Sequence, residues 1–123
     1  KYLKNRKAYP AIALTGNSSL VTALGNDYGY ENIFYRQIES LGRKGDVLFA
    51  ITTSGKSKNI LKILQLAKKK GIKVILLTSK KAINLKYKVD LFIPAPSKRV
   101  DRIQEMHIAI GHIICETVEN CIN

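Results

Sequence analysis

An α/β fold, a doubly wound parallel sheet with helices on both faces, is predicted by three features of this 123-residue chain. Short apolar runs bounded by turn residues recur along it. They alternate with longer stretches whose apolar residues fall at helical spacing, and the runs themselves are almost wholly apolar. Strands covered on both faces read as near-continuous hydrophobic runs, and parallel pairing needs a crossover between strands, so the alternation specifies right-handed strand-helix-strand units.

The runs are Ala11 to Leu14, Val47 to Ile51, Val74 to Leu77 and Leu91 to Ile93. Each is too short for a helix and rich in branched side chains, which makes it a buried strand. Between them, Ile33, Phe34, Ile38 and Leu41, and then Ile60, Leu61, Leu64 and Ala67, recur at helical spacing. A last helix starts near Asp101, with Ile103, Met106, Ile110, Ile114 and Val118 at steps of three and four that predict one buried stripe. Four strands are few for a sheet of this type, and the chain opens on a short basic segment. Residues 1–123 are therefore expected to be a single domain whose N-terminal helices and first strand are missing.

With 46% hydrophobic residues spread along its length, the chain can bury one core. Twenty-one basic against nine acidic residues leave a formal charge of +12, which concentrates anions at the surface. The lysines are scattered or helical, as at Lys68 to Lys70, and no basic block is interleaved with stacking aromatics, so a small anion ranks above nucleic acid. No apolar run approaches the roughly 20 residues needed to span a bilayer, and the start is not a signal peptide. A cytoplasmic protein with no membrane partner is expected. Cys115 and Cys121 stand six apart in one helical pattern, on different faces, and read as reduced core thiols.

Three groups of residues carry chemistry. After Val47 to Ile51 come Thr52, Thr53, Ser54, Gly55, Lys56 and Ser57, followed by a helix. Backbone N–H groups at a helix start, hydroxyls beside them and a glycine that permits close approach supply the converging donors a phosphate needs, at the strand end where ligands bind in parallel sheets. The plainer alternative makes Ser57 an N-cap and Ser54-Gly55 a turn. Gly25, Asn26, Asp27, Tyr28 and Gly29 read as a tight polar turn or helix stop, in which Asn26 and Asp27 could also present an amide and a carboxylate to sugar hydroxyls. In the last helix Gln104 and His112 lie on roughly one side, about 12 Å apart along the axis, while His107 faces elsewhere. A buried histidine held by a backbone carbonyl competes there with a catalytic one.

With these groups in hand, the chain resembles the phosphoheptose isomerases of the sugar isomerase (SIS) domain superfamily. The matching stretches are Tyr9 to Leu14, Gly25-Asn26-Asp27-Tyr28-Gly29, Arg36-Gln37, Gly45-Asp46-Val47-Leu48, Thr53-Ser54-Gly55 with Ser57, and Arg102-Ile103-Gln104-Glu105-Met106-His107, in order over nearly the whole chain. The resemblance implies a flavodoxin-like three-layer sandwich and an aldose-ketose isomerase that converts sedoheptulose 7-phosphate to D-glycero-D-manno-heptose 7-phosphate for lipopolysaccharide or capsule heptose. It implies that Thr52, Thr53, Ser54 and Ser57 hold phosphate or sugar, that Asn26, Asp27 and Gln104 contact substrate, that His112 is an acid/base residue, and that Gln104 and His112 join in binding zinc. Their two-turn separation makes that shared ligation geometrically demanding. A homotetramer is implied as well.

Family members also carry an earlier strand with a Gly-Asn-Gly-Gly-Ser turn and a helix bearing a histidine and a catalytic glutamate. Neither occurs in these 123 residues, which alone are expected to be inactive. Thr52 replaces the usual serine and keeps the hydroxyl, whereas Ser79-Lys80-Lys81 stands where the family often has a glycine-rich loop. Two non-catalytic alternatives share the superfamily. One is a relative that binds the bacterial replication initiator, which has the Arg-Ile-Gln-Glu-Met-His run but asparagine where His112 stands. The other is a sugar-phosphate sensor.

Overall fold

Three of the four apolar runs become strands. In this computed structural model, which describes residues 1–122, the order is α1 (Ser18–Tyr28), a 3-10 turn (Tyr30–Asn32), α2 (Tyr35–Leu41), β1 (Val47–Ile51), α3 (Lys58–Lys70), β2 (Lys73–Ser79), a 3-10 run (Lys80–Lys88), β3 (Leu91–Ala95) and α4 (Val100–Ile122). The strands pair in parallel in the order β1-β2-β3, with Leu48 opposite Val74 and Leu76 opposite Phe92. Pro94 is tolerated because β3 is an edge strand, where a missing N–H leaves no ladder bond unmade.

The fourth run, Ala11 to Leu14, forms no strand, which corrects the expectation. Ile12 is 71% exposed, and the run packs against the core only through Leu14, at its end. Its carbonyls are drawn elsewhere: Ala13 O accepts from Gly16 N in a turn, and Leu14 O accepts from the Gln37 amide at 2.9 Å.

β2 is the centre. Val74, Leu76, Leu77, Thr78 and Ser79 are all buried. The alternation of side chains sends Leu48, Ala50, Val74 and Leu76 to one face, where Ile60, Ile63, Leu64 and Ala67 of α3 and Ile38 of α2 complete the main core. Gly71 ends α3 with φ 69°, a left-handed cap that other residues adopt at a cost, and Lys68 to Lys70 set their charges against the negative end of that helix. On the opposite face α4 lies against β2 and β3, burying Ile103 and His107. It does not reach the outer row of β1, where Phe49 and Ile51 stay 39% and 50% exposed. Both faces thus carry helices, with β1 covered on one side only.

The stripe expected along α4 is only partly buried. Met106, Ile110 and Ile114 are half-covered and Val118 is exposed, because a 23-residue helix of about 34 Å outruns strands of five to seven residues. Cys115 and Cys121 are free, as expected, but exposed rather than in the core, since they fall on this overhanging half.

What meets the overhang is the start of the chain. Glu119, 2% exposed, accepts from the backbone N–H groups of Tyr2 (3.0 Å), Leu3 (2.7 Å) and Lys4 (2.9 Å) and from Arg6 Nε (2.8 Å). Burial by itself raises this carboxyl. The N–H groups of Tyr2, Lys4 and Leu3 and the Arg6 guanidinium more than reverse that, taking it from the ordinary 4.5 down to about 2.

Two outcomes are expected in urea denaturation. Leu76→Ala should cost about 2–5 kcal/mol, because it opens a cavity under the central strand. The unfolded chain protonates Glu119 first, near 4.5, while the folded chain resists to about 2, so this group stabilises the fold fully above 4.5 and its contribution disappears as pH falls through that window. Wild type should therefore exceed Glu119→Gln in stability at neutral pH and converge with it in acid; a constant gap would count against a stabilising role for the Glu119 carboxylate.

Candidate functional site

The loop from Thr52 to Ser57 leaves the carboxyl end of β1 and enters α3. Thr52 is buried. Its N–H donates to Leu77 O at 3.0 Å, which continues the β1-β2 ladder by one residue, and its Oγ1 accepts from Gly55 N at 3.3 Å and lies 3.2 Å from Ser57 Oγ. Thr52 is thereby the internal strut of the loop. Ser54 Oγ accepts from Lys56 N at 3.1 Å and shapes the outer turn. Ser54 and Ser57 are exposed and Thr53 is half-buried, so three hydroxyls are presented at or near the surface.

Ser57 occupies the N-cap position of α3, but its side chain makes no capping hydrogen bond. The plainer alternative of a serine spent on its own helix therefore does not hold. Of the first N–H groups of α3, that of Ile60 is taken by Asn59 Oδ1 at 2.8 Å, while those of Lys58 and Asn59 are left to other acceptors beside the hydroxyls, an arrangement that favours a negatively charged group.

Gly55 is required by geometry. Its φ is 69°, and a Cβ added there would lie 2.3 Å from Ala82 Cβ. Ala82 and Leu85 are the buried residues of the 3-10 run after β2, which opens on Lys80 and Lys81. The hydroxyl loop rests directly on it. Sequence reading missed Ala82, although its three-residue spacing to Leu85 was a usable sign of a buried helical face.

Asn26 and Asp27 lie in the last turn of α1 and not in a turn of their own. They are exposed, and Asn26 Nδ2 donates to Asp27 Oδ1 at 3.0 Å. The helix does stop there: Gly29, at φ 84°, sends its N–H back to Gly25 O. Arg36 fixes this end by lying 4.9 Å over the Tyr28 ring, while its neighbour Gln37 donates to Leu14 O and Ile33 O, both at 2.9 Å. The pair Arg36-Gln37 thus ties α1, α2 and the segment before them together.

Gln104 and His112 are both exposed on α4. His107 is the buried, carbonyl-held histidine: it is 5% exposed, with Nε2 3.1 Å from Thr78 O. A carbonyl only accepts, so Nε2 carries the proton. His112 instead meets an aromatic ring, that of Tyr2, with centroids 6.2 Å apart and planes at 42°. The structure joins the residues of the hydroxyl loop to one another and Asn26 to Asp27, while among the described residues no hydrogen bond links the loop, the Asn-Asp pair and the α4 residues. No group of three His, Cys, Asp or Glu residues among the described residues could hold a metal ion. Gln104 and His112 fit zinc only as two of the four donors of a tetrahedral site. Two clefts, of about 250 and 370 Å³, lie elsewhere, one beside Lys73, Tyr87 and Asp90 at the amino ends of the strands and one among Asn32, Tyr35 and Lys62. Neither contains the converging hydroxyls of the loop.

Comparison with known proteins gives the family and the fold. A family model described as SIS domain matches residues 2–79. The chain is 48% identical over 122 residues to a phosphoheptose isomerase of Rhodospirillum rubrum, covering 99% of this chain and 65% of that protein. It is 49% identical over 119 residues to one of Nitratiruptor, covering 97% and 64%. It therefore spans less than two thirds of the length of these curated relatives. Among solved structures it is similar to the phosphoheptose isomerase of Neisseria gonorrhoeae, with TM-score 0.84, 38% identity and coverage of 89% of this chain and 61% of that one. A second, from Francisella tularensis, gives TM-score 0.85, 41% identity and coverage of 90% and 60%.

Gly55→Ala should lower stability by about 1–3 kcal/mol, through strain at positive φ together with the clash on Ala82. Gly45→Ala is the control. Its φ is 94° with nothing within 4 Å, so it carries the strain without the clash. Thermal unfolding of both variants should show the larger loss at Gly55; equal losses would mean that the contact with Ala82 contributes nothing.

Proposed function

The chain belongs to the SIS domain family, and from that premise we propose that it is the sugar-phosphate part of an aldose-ketose isomerase converting sedoheptulose 7-phosphate to D-glycero-D-manno-heptose 7-phosphate. The observation that carries the proposal is the hydroxyl loop at the carboxyl end of β1, where Ser57 leaves its capping role unfilled at the start of α3. The names of the relatives supply the sugar and the reaction class.

In this reading Thr53, Ser54 and Ser57, braced by Thr52, receive the phosphate together with the N–H groups of Lys58 and Asn59 at the start of α3. Asn26, Asp27 and Gln104 receive sugar hydroxyls. Isomerisation moves one proton from the carbon beside the carbonyl to the carbonyl carbon through an enediol, and the hydroxyl proton moves in the same direction between the two oxygens as the carbonyl passes the other way, so nothing is gained or lost overall. His112 exchanges a proton with the substrate, the work to which an imidazole is suited near neutral pH. Zinc, held in part by Gln104 and His112 with the remaining donors from other groups, would polarise the carbonyl and its enediol. The protein is further proposed to be a cytoplasmic homotetramer whose product feeds lipopolysaccharide or capsule heptose. No helix among the described residues is long and apolar enough to cross a membrane.

Conversion of sedoheptulose 7-phosphate, followed on the protein at its native length, tests this directly. His112→Ala should reduce kcat by about 10²–10⁴-fold. Ser57→Ala should chiefly raise KM, and chelation should abolish turnover that added zinc restores. Sugar-phosphate binding without any turnover would replace the isomerase with a sensor.

A further inference from the structure

Glu119 is a carboxylate buried at 2% exposure on an overhanging helix, an arrangement that is costly unless its lone pairs are filled. They are filled by three consecutive backbone N–H groups, those of Tyr2, Leu3 and Lys4, and by Arg6 Nε, all within 2.7 to 3.0 Å. Successive N–H groups converging on one anion fix the backbone that bears them. Arg6 is held in turn, its guanidinium 4.4 Å over the Tyr9 ring.

His112 precedes Glu119 by seven residues, which puts the two on one face of α4 about 10.5 Å apart along its axis. The segment docked on Glu119 brings the Tyr2 ring to 6.2 Å from the imidazole, within the range of favourable aromatic pairs. Among the described residues no hydrogen bond restrains the His112 ring, so within the chain the Tyr2 ring is the neighbour that bears on its orientation.

We propose that Glu119 and Tyr2 are positioning residues for His112: the carboxylate fixes the backbone of residues 2–4, that backbone holds the Tyr2 ring, and the ring keeps the imidazole in one orientation toward the substrate. The inference rests on the reading of His112 as an acid/base residue. The ring of Tyr2 performs this task and its hydroxyl does not. The effect falls on kcat, because the phosphate is held independently by the loop after β1.

The test compares Tyr2→Ala, Tyr2→Phe and Glu119→Gln in the protein at its native length, by sedoheptulose 7-phosphate kinetics and by NMR of the His112 ring protons, assigned by their loss in His112→Ala. Tyr2→Ala should lower kcat about tenfold with KM within about twofold, since misplacing a reacting group slows chemistry more than it weakens binding. Tyr2→Phe should retain wild-type kcat. The His112 resonances should lose their ring-current shift in Tyr2→Ala and Glu119→Gln and keep it in Tyr2→Phe. Because Tyr2 lies at the surface, its alanine variant tests the idea even if Glu119→Gln fails to fold. Unmoved resonances in Tyr2→Ala would overturn the inference, as would unchanged kcat in that variant while His112→Ala is inactive. Full turnover in His112→Ala would instead sink the acid/base reading, and the resonances would still report whether the ring is restrained.

Discussion

The site depends on the parallel pairing of β2 between β1 and β3. A parallel ladder brings the carboxyl ends of adjacent strands to one edge of the sheet. Here the bond from Thr52 N to Leu77 O carries the register of β1 one residue past the strand and into the loop. The hydroxyl loop therefore starts from a fixed point. Its other end is set by α3, whose Ile60, Ile63 and Leu64 are locked into the core against Ala50 and Leu76. A loop of six residues pinned at both ends by buried elements has few conformations left, and the run carrying Ala82 removes more of them from below.

Sequence reading succeeded where information is local. Val47 to Ile51, Val74 to Leu77 and Leu91 to Ile93 are strands because branched apolar residues in short runs fit only a buried sheet, and Ile60 to Ala67 lie on a helix because their spacing matches its turn. It failed at Ala11 to Leu14, which has the composition of a strand but pairs with none, its carbonyls going to Gly16 and Gln37, since composition records preference and not the presence of a partner. The site was legible to the same degree. The hydroxyl loop and the polar pair after Gly25 stood out by residue type. The unused N-cap at Ser57, the strut role of Thr52 and the support from Ala82 depend on distances no spacing reveals.

Glu119 shows the limit most clearly. In sequence it is one more polar residue near the end of a helix, and its partners lie 113 to 117 positions earlier. The two histidines of α4 show the opposite case. Helical geometry alone separated His107 from His112, and the structure gives them different neighbours: a backbone carbonyl for the first and an aromatic ring for the second.

The contact of Gly55 with Ala82 also bears on the timing of entropy loss. Two backbones packed to van der Waals distance leave the loop no room to sink inward when nothing occupies it. A loop braced in this way loses much of its conformational freedom when the chain folds, which leaves less ordering to be done on meeting a ligand. Affinity at such a loop is governed by the donors it presents. Selectivity follows from its rigidity, because a group of the wrong size finds no loop that will adjust to it.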